Sequence, residues 1–190
     1  MLPSAAPTTL VYAAVARKAG RQGTPVAPTA TFVTGYLAIW TLFSLAATGA
    51  QWALDRAALL SPMMVASSPW LGALLLAAAG VYQLTPAKEA CLRHCRAPAH
   101  FIADQWRPGV AGAFRMGAIH GVFCLGCCWA LMGLLFFGGV MNLLWIAAIT
   151  LFVLGEKLLP AGRGTARWSG AAMILAGGLL AARWVANGAG

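Results

Sequence analysis

Acidic residues are nearly missing from this chain. Four Asp and Glu stand against thirteen Lys and Arg in 190 residues, and charged residues of both signs make up only 9%. Soluble domains run near 25% charged, and a soluble chain this short must expose much of its surface to water. The scarcity therefore excludes an ordinary soluble domain and points to lipid as the solvent. The apolar runs hold no pair of carboxylates and no activated serine, which argues against a hydrolase or transferase, so no enzyme activity is expected. A buried carboxylate for proton coupling is not expected either, which disfavours an ion-coupled carrier. A basic leader is also lacking: the run Leu2–Ala16 starts directly after Met1, is broken by Pro3 and Pro7, and is followed by no small-residue cleavage site. A cleaved secretory signal is thus not expected. No internal repeat and no soluble domain stand out.

What is present is hydrophobic length, at 61% of all residues. A bilayer needs about 20 consecutive apolar residues, and residues 31–54 carry no charge at all. Further spans are expected at approximately 70–86, 110–137, 140–159 and 168–185, with residues 2–16 a partial span closed by Arg17, Lys18 and Arg21. Gly138 and Gly139 are expected to turn the chain between the spans at 110–137 and 140–159. The predicted fold is all-α, a polytopic transmembrane helix bundle of five full spans plus one partial N-terminal span, forming a single integral membrane domain over 1–190. Trp168 and Trp184 suit the membrane interface, and Asn142 suits a hydrogen bond between helices.

The net charge of +9 does not imply nucleic acid. Basic residues fall in short clusters between apolar runs, not along one polar face, and no nucleic-acid partner is expected. If the first loop is cytoplasmic, the inside holds Arg17, Lys18, Arg21, Lys88, Arg93, Arg96, Arg107, Arg115, Lys157, Arg163 and Arg167. That is eleven of the thirteen Lys and Arg, with Arg56 and Arg183 left outside. The positive-inside rule then places the charged loops in the cytoplasm and the C-terminus on the far side, with the lipid bilayer as the first partner.

The segment Arg115–Trp129 carries the most chemistry. On a helix, positions three and four apart share a face, so Met116, His120, Cys124 and Cys127 form one stripe with Cys128 at its edge. Thioether, imidazole and thiolate together select copper(I), while thiolate with imidazole also suits zinc. At about 1.5 Å per residue, His120 to Cys127 covers roughly 10 Å, too far for one ion, so the stripe implies two sites or a site shared between helices. Packing is the alternative reading: Cys and Met are comfortable core residues, and Gly117, Gly121 and Gly126 would admit a neighbouring helix. His120 resists that reading, because an ionisable group within a span normally faces a partner or cavity.

A second cluster, Cys91-Leu-Arg-His94-Cys95, presents Cys91, His94 and Cys95 together on a helix turn. Its spacing is not that of a structural zinc knuckle, and no second C-x2-C completes one. The loop that follows is expected to fold Cys95 back toward the start of the fourth span, near His120. Weaker features are His100 with Asp104, the outer-loop pair Met63 and Met64, and Glu156-Lys157, which reads as an interfacial ion pair. Cys124-Leu-Gly-Cys127 also permits thiol–disulfide chemistry.

The stretches Leu2-Pro-Ser-Ala-Ala-Pro7, Tyr82-Gln-Leu-Thr-Pro86, Cys91-Leu-Arg-His-Cys95, His120 to Trp129, Gly139-Val-Met-Asn-Leu-Leu-Trp145 and Glu156-Lys-Leu-Leu-Pro160 give the chain a distinctive pattern. From Met1 to about Arg163 it resembles a bacterial family of predicted metal-binding integral membrane proteins, some of them described as copper chaperones. The resemblance implies a multi-pass protein of the bacterial inner membrane whose metal-binding positions fall on Cys91, His94, Cys95, His120, Cys124, Cys127 and Cys128. It also implies a methionine-rich stretch leading into Leu2–Pro7. This sequence departs there, beginning at Met1 and carrying Thr8 where a methionine is expected, so a methionine donor set from that region is not expected. Three functions compete: copper binding, storage or delivery to a membrane cuproenzyme; thiol–disulfide exchange through Cys124 and Cys127; and an accessory subunit of a larger membrane complex.

Overall fold

The computed structural model describes residues 2–23, 27–58, 68–158 and 162–188. All regular structure among them is helical: α1 (Leu2–Arg21), α2 (Thr29–Arg56), α3 (Pro69–Gln83), α4 (Pro86–Arg96), α5 (Pro98–Gln105), α6 (Gly109–Gly133), α7 (Leu135–Gly138), α8 (Leu143–Leu158) and α9 (Gly162–Gly188). The expected all-α class holds. An apolar chain in lipid has to satisfy its backbone internally, and a helix does so within one segment.

The number of spans is smaller than expected. Among the described residues three helical stretches are long and apolar enough to cross a bilayer, Thr29–Arg56, Gly109–Gly138 and Gly164–Asn187. A fourth crossing requires α3 and α4 to act as one span bent by 65°. Pro86 causes that break, since it supplies no N–H and pushes the preceding residue away from helical backbone. Thr85 completes the corner: its hydroxyl donates to the Tyr82 carbonyl at 2.7 Å and accepts from the Lys88 N–H at 3.3 Å. The 15 residues of α3 cover only about 22 Å against a hydrocarbon core of about 30 Å. The expected span 140–159 is shortened at its front. Gly139 turns the chain with φ 92°, and Asn142 caps α8 by accepting from the Trp145 N–H at 3.2 Å. Asn142 is therefore a helix cap, not the interhelical bond its place in an apolar run suggested, and α8 retains 16 residues.

The chain packs as two compact units, Met1–Ala47 with Glu89–Cys127, and Thr48–Lys88 with Cys128–Gly190. In the first unit α2 and α6 approach with almost no side chain between them. A Cβ on Gly35 would overlap the Phe114 carbonyl, and one on Gly117 the Phe32 carbonyl. Gly117 and Gly121 form a G-x3-G pair on α6, the small-residue spacing that lets membrane helices meet at the backbone. Around this crossing Tyr12, Ala16, Ala27, Phe32, Phe101, Ile102, Ala113 and Met116 form an apolar core. Tyr12 stacks on Phe32 at 4.9 Å and donates its hydroxyl to the Ala27 carbonyl.

In the second unit α3 and α9 make the most extensive helix pairing, with Gly80 and Gly170 at the closest approach. The Trp145 indole N–H donates to the Leu134 carbonyl at 2.8 Å, and Trp70 packs on Trp184. At its centre Lys88 and Glu156 form a buried ion pair, with Lys88 Nζ 2.7 and 2.9 Å from the two carboxylate oxygens. Gln83 Nε2 donates to Glu156 Oε1 and to Ser169 Oγ at 3.1 and 2.9 Å. Thus a buried carboxylate exists where none was expected, and its cation comes from 68 residues earlier in the chain.

Candidate metal centre

The thiols gather in the first unit because two helices carry them on facing surfaces. On α4, Cys91 and Cys95 lie one turn apart. On α6, Cys124 and Cys127 lie one turn apart, and Gly126 leaves the gap that α4 fills: a Cβ there would stand 2.7 Å from Cys91 Sγ. The result is a sulfur pair across the helices, with Cys95 Sγ 4.0 Å from Cys127 Sγ. Cys127 is buried and Cys95 half-buried. No disulfide joins any of the five cysteines.

The two cysteines of C-x2-C turn to different neighbours. Cys127 Sγ donates to the Cys124 carbonyl at 3.1 Å, while Cys124 Sγ meets the Tyr36 hydroxyl on α2 at 3.3 Å. Ala5, Tyr36 and Cys124 form a small buried cluster against which Trp40 and Cys95 pack. One turn below Cys124, His120 is fully buried among rings. Its centroid is 5.3 Å from Phe101, 5.8 Å from Tyr36 and 6.1 Å from Phe32. Another turn below, Met116 lies completely inside the apolar core with Phe32 and Ile102.

The expected stripe Met116, His120, Cys124 and Cys127 is therefore one buried face of α6. The second cluster does fold onto it, but at the opposite end from the one expected: Cys95 meets Cys127, seven residues beyond His120. The three-residue link Trp106-Arg107-Pro108 from α5 to α6 returns α5, with Phe101, to the His120 level. His94 is exposed; its imidazole stacks nearly parallel on Phe123 at 4.0 Å, with Nδ1 2.9 Å from the Ala90 carbonyl. His100 and Asp104 are exposed on α5. Cys128 is buried within the second unit, and the Met63–Met64 pair lies outside the described residues.

Among the described residues no three His, Cys, Asp or Glu side chains converge closely enough to enclose one ion. The chemistry the arrangement offers is instead two sulfurs facing each other across two helices, with further soft donors above and below. Sequence reasoning missed Tyr36, the polar neighbour of Cys124, and the rings that close over His120. The signal lay in the α2 run Phe32-Val-Thr-Gly-Tyr36, where a small residue sits between two aromatics at helical spacing.

No curated protein and no solved structure matches this chain. A family model does, over residues 1–180, farther toward the C-terminus than the motifs alone suggested. Its description is PpoB2, copper chaperone, and the chain belongs to that family.

Proposed function

We propose that the protein takes up copper(I) at Cys95 and Cys127 and hands it on, with copper as cargo and a membrane cuproenzyme as the receiving class of partner. The observation that carries this reading is the 4.0 Å sulfur pair across α4 and α6. Copper(I) is satisfied by two thiolates, whereas structural zinc takes four ligands in a tetrahedron. Among the described residues no third His, Cys, Asp or Glu converges on the pair, which makes zinc the poorer fit. Cys91 beside Gly126, Cys124 beside Tyr36, and then His120 extend the pair as a row of soft donors along α6, so an ion can move by exchanging one sulfur or nitrogen at a time. Cys128, His94 and Met116 take subordinate places at the edges of this row.

The whole chain acts as one integral membrane domain of the bacterial inner membrane, its basic loops cytoplasmic and its C-terminus periplasmic. The family's description as a copper chaperone supports the cargo, and three apolar helices support the membrane. The test is competition for copper(I) against a chromogenic chelator, using the reduced full-length protein in detergent. One copper per chain is expected for the wild type. Cys127→Ser and Cys95→Ser should each weaken binding at least a hundredfold, or about 2.7 kcal/mol at 1.36 kcal/mol per tenfold. No copper uptake by the folded, reduced wild type would refute the reading and leave an accessory membrane subunit in its place.

A further inference from the structure

We infer that Cys95 and Cys127 are also a two-electron dithiol–disulfide couple, so that the oxidation state of one sulfur pair decides whether the site accepts metal. This regulation rests on the copper reading above, but the couple itself rests on geometry alone. A disulfide holds its sulfurs about 2.05 Å apart. Starting from 4.0 Å, each sulfur has to move by about 1 Å, a distance side-chain rotation covers. The two residues lie on different helices, so closing the bond does not require a turn of α6 to unwind.

The C-x2-C pair within α6 is the competing couple, and it is less suited. Cys124 and Cys127 both sit inside the continuous helix Gly109–Gly133. The sulfur of Cys127 lies against the Cys124 carbonyl on one side and Cys95 on the other, and that of Cys124 is engaged by Tyr36. Cys91 packs against Gly126, one residue before Cys127, whereas Cys95 is the thiol in sulfur contact with Cys127.

The helix α4 also favours movement at this point. It is 11 residues long and bounded by Pro86 at one end and by Ala97-Pro98 at the other. Cys95 occupies its last turn and is half-buried. The mobile partner is therefore Cys95, and the fixed one is Cys127 within the 25-residue α6.

The oxidant is of the quinone class, a two-electron acceptor that dissolves in the same apolar medium as these helices. Cys127 and Cys95 each lose one proton and one electron, the S–S bond forms, and the quinone Q becomes the quinol: Cys95–SH + Cys127–SH + Q gives Cys95–S–S–Cys127 + QH2. The disulfide no longer offers thiolates, so copper(I) loses both of its bridging ligands. Reduction by a dithiol restores them.

The experiment uses the full-length protein in detergent and decylubiquinone, a fully substituted quinone that does not alkylate thiols. Free thiols, the cross-linked peptide and copper(I) uptake are measured before and after oxidation. Expected are a fall from five titratable thiols to three, a peptide pair joined through Cys95 and Cys127, at least a tenfold loss of copper uptake, and recovery with dithiothreitol. Cys124→Ser should still form the link. Unchanged thiols, a link through Cys124 and Cys127, or a Cys95–Cys127 link that leaves copper uptake intact would each overturn the inference. Absence of copper uptake in the reduced protein would instead refute the copper reading, and the cross-linked peptide would still decide the couple.

Discussion

The two units bury opposite kinds of polarity. The interior of Met1–Ala47 with Glu89–Cys127 holds sulfur, imidazole and rings, and among its described residues only Thr8 and His120 are both polar and buried. The interior of Thr48–Lys88 with Cys128–Gly190 holds Gln83, Lys88, Glu156 and Lys157. Full charges in a low-dielectric interior persist only when paired and hydrogen-bonded, and the second unit meets this requirement with a bidentate ion pair reinforced by an amide. Soft donors carry no such requirement, because thiol and thioether are tolerated as apolar groups. The first unit can therefore bury the donors of the proposed copper site without a permanent counter-charge. The second unit sets its buried polar groups against one another, and the first sets its thiols and imidazole among rings and helix backbone.

Breaking the ion pair gives the largest expected effect. Lys88→Met takes the cation from a carboxylate that stays buried, and removing one partner of such a pair costs about 3–5 kcal/mol. Thermal unfolding in detergent, followed by tryptophan fluorescence, should show a marked drop in midpoint. The double variant Lys88→Met/Glu156→Met should recover most of it, since an apolar pair of similar volume often replaces a buried ion pair at little cost. Copper stoichiometry of the folded fraction should not change. A loss below about 1 kcal/mol for the single variant, the range of an exposed pair, would show that water reaches Lys88 and erase the contrast between the units.

Glycine substitutions sharpen the contrast with smaller effects. In the second unit a Cβ at Gly80 would stand 2.7 Å from the Gly170 carbonyl oxygen, so backbone must shift. Gly80→Ala should cost about 1–3 kcal/mol, the usual range for overpacking, and leave copper affinity alone. In the first unit the atom opposing Gly126 is Cys91 Sγ, also at 2.7 Å, but it is the end of a side chain that can turn aside. Gly126→Ala should therefore cost about 1 kcal/mol or less in stability. It should weaken copper binding about tenfold, equivalent to about 1.4 kcal/mol, because Cys91 is turned away from the sulfur row. Equal effects of the two substitutions on both measurements would show that Cys91 takes no part.

How much of this was readable depends on the range of the interaction. The helical class and three spans follow from uninterrupted apolar runs, and the buried stripe on α6 follows from a spacing of three and four within one segment. Local chemistry also explains what was misjudged. The span expected at 70–86 stopped at Pro86, near the true end of α3, but its 15 helical residues are too few for a straight crossing, which that apolar run alone did not reveal. Asn142 was placed inside a span because its neighbours are apolar, whereas Gly139 had already ended the preceding helix. The long-range pairings were not legible. Nothing near Glu156 marks Lys88 as its partner in preference to the adjacent Lys157. Cys95 was expected near His120 because a short loop permits that return, and only the packing of α4 against Gly126 selects Cys127 instead.

The smallest expected effect tests where the donor row ends. Met116 shares the stripe of His120 and Cys124 by spacing, and its thioether is chemically suited to copper(I). Its surroundings differ from theirs, however. Cys124 has Tyr36 and Cys95 beside it, while Met116 belongs to the apolar core with Tyr12, Phe32, Phe101 and Ile102. A thioether in such a core is a space-filling group, and exchange for leucine keeps nearly the same volume. Met116→Leu should change stability by less than about 1 kcal/mol and leave both the stoichiometry and the affinity for copper(I) unaltered in chelator competition. A fall in affinity of tenfold or more would mean that the thioether reaches the cargo, and that the row continues past His120 into the core beneath it.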